Sequence, residues 1–309
     1  MTKRSLRALT TLAAALLSVA GTPAEAATAP KVLINQDFPD PGVVAGDAGY
    51  YAFSTAGSSG RVQLAQSNGS DGGWSMHGDA LTGPPSWASS SGEYWAPDVS
   101  RSPDGSYLMY LSAHTASTGQ MCLGTATSRT PGGPFQPDSP APLVCVGADR
   151  SDIDPQSFMD TNGKRYLLYK SDADPDTIWL QEVTPDGHGL RGDRVPLIQA
   201  DRPEEHGVVE APSLVRNGSQ YVLCYSGDYF KSSGYHTGYA TASNIGGPYT
   251  KSATPLLTTE SLGGAVDGPG GADVVGGHIF FHGWLDKDHN ARGMYSLPIR
   301  FSDGKPVVG

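Results

Sequence analysis

The chain has 309 residues, 17% of them charged, and a formal net charge of −10. That acidic balance, without a basic stripe, excludes nucleic acid and anionic membranes as partners and leaves a neutral polymer compatible. Beyond the N-terminus no segment holds 18 uninterrupted apolar residues, so no membrane contact is expected of the mature chain.

The first predicted element is a secretory signal over residues 1–26. Lys3, Arg4 and Arg7 form its charged part, Ala8 to Ala20 an apolar part too short to span a bilayer, and Ala24-Glu25-Ala26 a small-residue cleavage site. The mature protein is then expected to be residues 27–309, secreted, with its net charge moved to −12 by the loss of Lys3, Arg4, Arg7 and Glu25.

The elements that follow repeat five times. Aromatic strands begin at Tyr50, Tyr107, Tyr166, Tyr221 and His278, in steps of 57, 59, 55 and 57 residues. Each follows a turn glycine: Gly49, Gly105, Gly163, Gly218 and Gly277. A period above about 40 residues built from short strands marks propeller blades. Residues 27–309 divide into five such units, so the reading is all-β: a single-domain five-bladed β-propeller, closed so that no long strand edge is left open, and expected as a monomer. The segments ending Gly-Gly-Pro-Phe135 and Gly-Gly-Pro-Tyr249 read as outer-strand turns of alternating blades. Cys122 and Cys145 stand on successive strands of one repeat and are able to pair, as export permits, whereas Cys224 inside an apolar strand reads as a buried thiol.

Upstream of each aromatic strand stands an acid, usually beside proline: Asp40-Pro41, Pro97-Asp98, Asp154-Pro155, Glu210-Ala211-Pro212 and Asp273. In a propeller the first strand of every blade lines the channel and all start at one end, so these acids are expected to converge in one funnel. Asp and Pro also simply mark turns, but five in phase with the repeat argue for more. Hydrolysis of a glycosidic bond needs a carboxylic acid to protonate the leaving oxygen and a carboxylate to activate water or to attack. Like charges and burial drive the pKa values of neighbouring carboxyls apart. Asp40, Asp154 and Glu210 meet this requirement, and would equally form a cation site or plain turn residues.

Asp37-Phe-Pro-Asp-Pro41, Tyr94-Trp-Ala-Pro-Asp98, Ile153-Asp-Pro-Gln-Ser-Phe158 and Val209-Glu-Ala-Pro212 resemble, in order and one per blade, the motifs of glycoside hydrolase family 43. The resemblance covers essentially the whole mature chain. It implies an inverting arabinosidase, xylosidase or arabinanase acting on plant cell-wall polysaccharide, with Asp40 as general base, Glu210 as general acid, and Asp154 raising the pKa of that acid and orienting it. It further implies Phe38 and Trp95 as apolar walls around the terminal sugar, Arg292 as an arginine reaching the catalytic acids, and His282 facing the channel. Asp98 is expected to fix a loop. Many members hold a cation on a histidine after a Gly-Pro-Gly turn. Gly271 stands at that position, so no cofactor is firmly implied and a channel cation stays open. The expected activity is release of terminal arabinofuranose from arabinan or arabinose-substituted polysaccharide. The alternatives are a β-xylosidase, an endo-arabinanase, a retaining fructan-cleaving propeller, or a non-catalytic sugar-binding propeller.

Overall fold

A computed structural model describes Met1 and residues 29–90, 93–147 and 150–309; the export signal, Met1 apart, lies outside the described residues. The N-terminal strand β1 (Lys31–Ile34) is followed by five antiparallel blades. Blade 1 holds β2 (Gly42–Gly46), β3 (Gly49–Ser54), β4 (Gln63–Ser67) and β5 (Ser75–Asp79), and blade 2 holds β6 (Tyr94–Arg101), β7 (Tyr107–His114), β8 (Met121–Ser128) and β9 (Gln136–Pro137). Blade 3 holds β10 (Asp152–Met159), β11 (Arg165–Ser171), β12 (Thr177–Val183) and β13 (Leu190–Gln199), and blade 4 holds β14 (Val209–Asn217), β15 (Gln220–Gly227), β16 (His236–Ala242) and β17 (Thr250–Lys251). Blade 5 holds β18 (Asp267–Val275), β19 (His278–Trp284), β20 (Arg292–Ser302) and β21 (Lys305–Val308), and β1 pairs with β20 so that the two ends of the chain close the ring. The five aromatic strands are β3, β7, β11, β15 and β19, the second strand of each blade.

These strands read as continuous apolar runs because both of their faces are covered. In β7, Tyr107, Met109 and Leu111 pack with Phe53 and Leu64 of blade 1, while Leu108 and Tyr110 pack with Leu167 and Tyr169 of blade 3. Tyr166 and Leu168 then meet Leu214 and Leu223 of blade 4, and Phe280 and Met294 of blade 5 meet Val43 and Ala52 of blade 1. The core is thus a set of seams between blades, each buried side chain contributing roughly 1.5–3 kcal/mol. The two Gly-Gly-Pro turns lead into β9 and β17, the outermost strands of blades 2 and 4. Cys122 and Cys145 are disulfide-bonded, and Cys224 is a buried free thiol.

The inner strands repeat a backbone device. Asp40, Ala96, Asp154, Ala211 and Gly271 all have positive φ, 54°, 43°, 55°, 50° and 57°, each followed by Pro or Ala. This corrects the phase expected from sequence. The five acids are not equivalent: Asp40 and Asp154 occupy the left-handed position, Glu210 precedes it by one residue, and Asp98 and Asp273 follow it by two. Those last two belong to a ring of clasps inside the channel. Asp98 accepts the Ser157 N–H at 2.8 Å and Gln156 the Leu214 N–H at 3.2 Å. Ser213 accepts the Val274 N–H at 3.3 Å and Asp273 the Val43 N–H at 2.8 Å. Blade 1 has Gly42 at this position, where a Cβ would lie 2.2 Å from the Pro97 carbonyl oxygen, so only glycine lets blades 1 and 2 approach.

Candidate active site

A bulge lifts a side chain out of a regular ladder and re-aims it. The pairing slips between Ile153 and Gln156 in β10 and between Glu210 and Ser213 in β14, at the left-handed residues. Asp154 and Glu210 therefore reach the same depression as Asp40, which sits on the turn before β2. The depression has a volume of about 470 Å³, in the range of small-ligand sites, and is lined by all three acids, Trp95, Tyr229 and Arg292 among others. Beneath Asp40 and Asp154 the channel narrows to about 40 Å³ between Asp98 and Asp273, room for water but not for a sugar.

Asp40 is held as a charge. Arg292 Nη1 lies 3.3 Å from its Oδ1, the Thr55 hydroxyl donates to Oδ2 at 2.7 Å, and His282 Nδ1 lies 3.2 Å from Oδ1 and accepts the Asp40 N–H at 3.1 Å. Burial pushes this carboxyl up, but Arg292, helped by the Thr55 hydroxyl, outweighs it and holds Asp40 well below the usual carboxylate range. Asp154 behaves oppositely. Burial, then the charges of Glu210 and Asp40, push it well above the usual range, against Lys170 and the Ala211 N–H that it accepts at 2.9 Å.

Glu210 is gripped on both oxygens. The Tyr235 hydroxyl donates to Oε1 at 2.8 Å, and Lys170 Nζ donates to Oε2 at 3.3 Å. Lys170 also meets Asp172 at 2.9 Å and Asp176 at 3.1 Å. Burial opposes its charge, but Glu210, Asp172 and Asp176 together keep it above the ordinary lysine range. Burial, with the charges of Glu210 and Asp40, raises the Tyr235 phenol well above its usual value, so it remains a donor. Lys170 and Tyr235 were missed from sequence. One signal was available: the fifth residue of the aromatic strands is Ser54, Leu111, Lys170, Tyr225 and His282, and a lysine ending an otherwise apolar strand marks an inward polar group.

Two expected sugar contacts are corrected. Phe38 is fully buried with Ile34, Val43, Phe280 and Met294, so it is core beneath the site and not a wall of it. His282 is likewise fully buried, stacked on Tyr235 at 5.7 Å and 2° behind Asp40. Burial and Arg292 hold its imidazole below the usual range, against Asp40. Trp95 and Arg292 do line the depression.

No larger side chain fits at Gly271, the position where many members place a cation-holding histidine. A Cβ at Gly271 would lie 2.5 Å from His282 Nδ1, so a larger residue there is excluded by the histidine that already fills the space. The channel carboxylates Asp98 and Asp273 are committed to backbone N–H groups, and among the described residues no group of three or more His, Cys, Asp or Glu side chains is arranged for a metal.

A closed propeller whose inner strands bring three carboxyl groups to one sugar-sized depression has the arrangement that glycoside cleavage requires. The sequence profile of Glycosyl hydrolases family 43 matches residues 29–297, and the chain belongs to that family. It is 26% identical to extracellular endo-α-(1→5)-L-arabinanase 1 of Bacillus subtilis, across 96% of this chain and 94% of that one. It is 27% identical to a probable arabinan endo-1,5-α-L-arabinosidase A of Aspergillus flavus, across 76% and 72%. Among solved structures it resembles a thermostable family-43 glycoside hydrolase, with a TM-score of 0.79 and 27% identity over 88% of this chain and 93% of that one. It also resembles an endo-1,4-β-xylanase of Bacteroides thetaiotaomicron, with a TM-score of 0.78 and 27% identity over 90% and 97%.

Proposed function

We propose that this glycoside hydrolase cleaves α-L-arabinofuranosyl bonds of arabinan outside the cell, with inversion, after removal of residues 1–26. The observation that carries the reading is the convergence of Asp40, Asp154 and Glu210 on one cavity, with Arg292 paired to Asp40 and Asp154 tied to the backbone beside Glu210. In this reading Asp40 takes a proton from water, which attacks the anomeric carbon. Glu210 gives a proton to the leaving oxygen, and the bond between that oxygen and the anomeric carbon breaks. Asp154 anchors the Ala211 backbone and so orients Glu210 beside it. Trp95 forms one apolar wall of the sugar site.

The two arabinanase relatives support attack within an α-1,5-arabinan chain; the Asp37-Phe-Pro-Asp-Pro41 motif favours release of terminal arabinofuranose. The likeness to the xylanase structure supports a second reading, cleavage of xylan or xylo-oligosaccharides. Incubation with debranched arabinan, branched arabinan and xylan separates them. Oligosaccharides appearing first from debranched arabinan mean internal cleavage, arabinose alone means terminal release, and activity confined to xylan rejects arabinan.

A further inference from the structure

Among the described residues one large aromatic side chain is exposed, and it stands in the catalytic depression. Tyr229 is 54% exposed, whereas the other exposed large apolar side chains, Met1 apart, are valine, leucine and methionine. An aromatic face open inside a cavity is a surface that an apolar ligand face can cover. The apolar C–H face of a sugar is such a cover.

The segment that carries Tyr229 is held rigidly. Asp228 accepts the Tyr229 N–H at 2.7 Å and meets His206 at 3.0 Å, and the Ser232 N–H donates to the Tyr229 carbonyl at 2.8 Å. The Phe230 ring, 5.0 Å from that of Tyr229, is stacked on Trp284 at 6.5 Å and lies 5.0 Å under the Arg292 guanidinium. Trp284 Nε1 donates to the Phe230 carbonyl at 3.3 Å. Phe230 and Trp284 are the anchors, which leaves Tyr229 free to face outward at little entropic cost on binding. The segment joins β15 to β16 in the blade whose β14 carries Glu210. Glu210 pairs in register with Ser226, three residues before Tyr229. The side of the acid is the side of the leaving group.

We propose that Tyr229 is the stacking platform for the sugar unit on the leaving-group side of the scissile bond. The assignment rests on the glycosidase reading above and names a contact for it in the cavity that Trp95 also lines. Trp95 holds the sugar that is cleaved and Tyr229 the sugar that departs, so Tyr229 sets the preference for oligosaccharide over short substrates.

The test compares wild type, Tyr229→Phe and Tyr229→Ala on whichever of α-1,5-arabinotriose and β-1,4-xylotriose the wild type cleaves. It adds inhibition by the free monosaccharide of that series and the melting temperature. Expected is a KM about tenfold higher for Tyr229→Ala, with Tyr229→Phe within about twofold of wild type. The monosaccharide inhibition constant and the melting temperature stay unchanged. An unchanged KM in Tyr229→Ala overturns the platform. So does a monosaccharide constant that rises in step with KM, which would place Tyr229 at the cleaved sugar, and so does a Tyr229→Phe variant as impaired as Tyr229→Ala. Cleavage of xylotriose only rejects arabinan as substrate while the xylo series still judges Tyr229.

Discussion

Glu210 can deliver a proton only from an oxygen that carries one, yet both of its oxygens accept bonds, from Tyr235 and from Lys170. Lys170 keeps Asp172 and Asp176 as partners when Glu210 is neutral, so the Oε2 contact is the one that can open. Glu210→Gln is expected to lower turnover of arabinan by about 10²–10⁴-fold, the usual range for a lost general acid. An aryl arabinofuranoside with an acidic leaving group should be partly spared, and equal losses on both substrates would remove Glu210 from the role. Arg292 supplies the complementary test at Asp40. A carboxyl depressed in the folded enzyme is ionised throughout the working range, so the acid limb of kcat/KM should lie below that of an ordinary carboxylate. Arg292→Met removes the leading lowering influence. Asp40 then ionises later, and the acid limb moves to higher pH; a limb that stays put would mean that another group controls it. At this scale the convergence of the three acids was legible in the sequence because each stands within two residues of a proline at a strand start, one per repeat. Tyr235 was hidden because it reaches Glu210 from 25 residues away, and the pairing of Lys170 with Glu210 across 40 residues was hidden likewise, although its place at the end of an apolar run marked it as inward and polar. Phe38 was misjudged because adjacency to Asp40 in sequence says nothing of the face on which a turn residue emerges.

Each inner strand places a residue with positive φ at the mouth, and blades 2 to 5 place a clasp residue two positions further in. The first re-aims a side chain and the second ties one blade to the next. Sequence alone showed acids near each strand start but merged these two roles, since a two-residue offset is invisible without the bulge. The distinction has a consequence for stability. Burial, reinforced by the Asp273 charge, pushes Asp98 up to about 8, and burial pushes Asp273 to about 6. A carboxyl whose pKa is raised on folding favours the native state while protonated. Its contribution is therefore full below the unfolded value near 4 and is lost as pH rises through about 8. Asp98→Asn keeps an acceptor for the Ser157 N–H and cannot ionise. Its melting temperature is expected to equal wild type near pH 4, to exceed it by several degrees at pH 8, and to vary less between them. Thermal scans across that range decide the matter, and parallel curves for the two proteins would refute it.

For the molecule as a whole, the fold was legible because five nearly equal steps between aromatic strands leave few architectures, and closure through β1 and β20 completes the ring those steps imply. What the ring creates is a mouth to which blades 1, 3 and 4 bring Asp40, Asp154 and Glu210, with a floor too narrow for a sugar. Loop conformation was not legible, and Tyr229 emerged only from the packing of Phe230 and Trp284 beneath it. The central claim is that water, activated by Asp40, attacks from the face opposite the bond that Glu210 protonates. Proton NMR of the sugar first released from an α-L-arabinofuranosyl substrate, recorded before mutarotation, tests it most directly. The account predicts the β anomer at the earliest times, with the α anomer growing in afterwards; an α anomer formed first would mean a covalent intermediate and would contradict it.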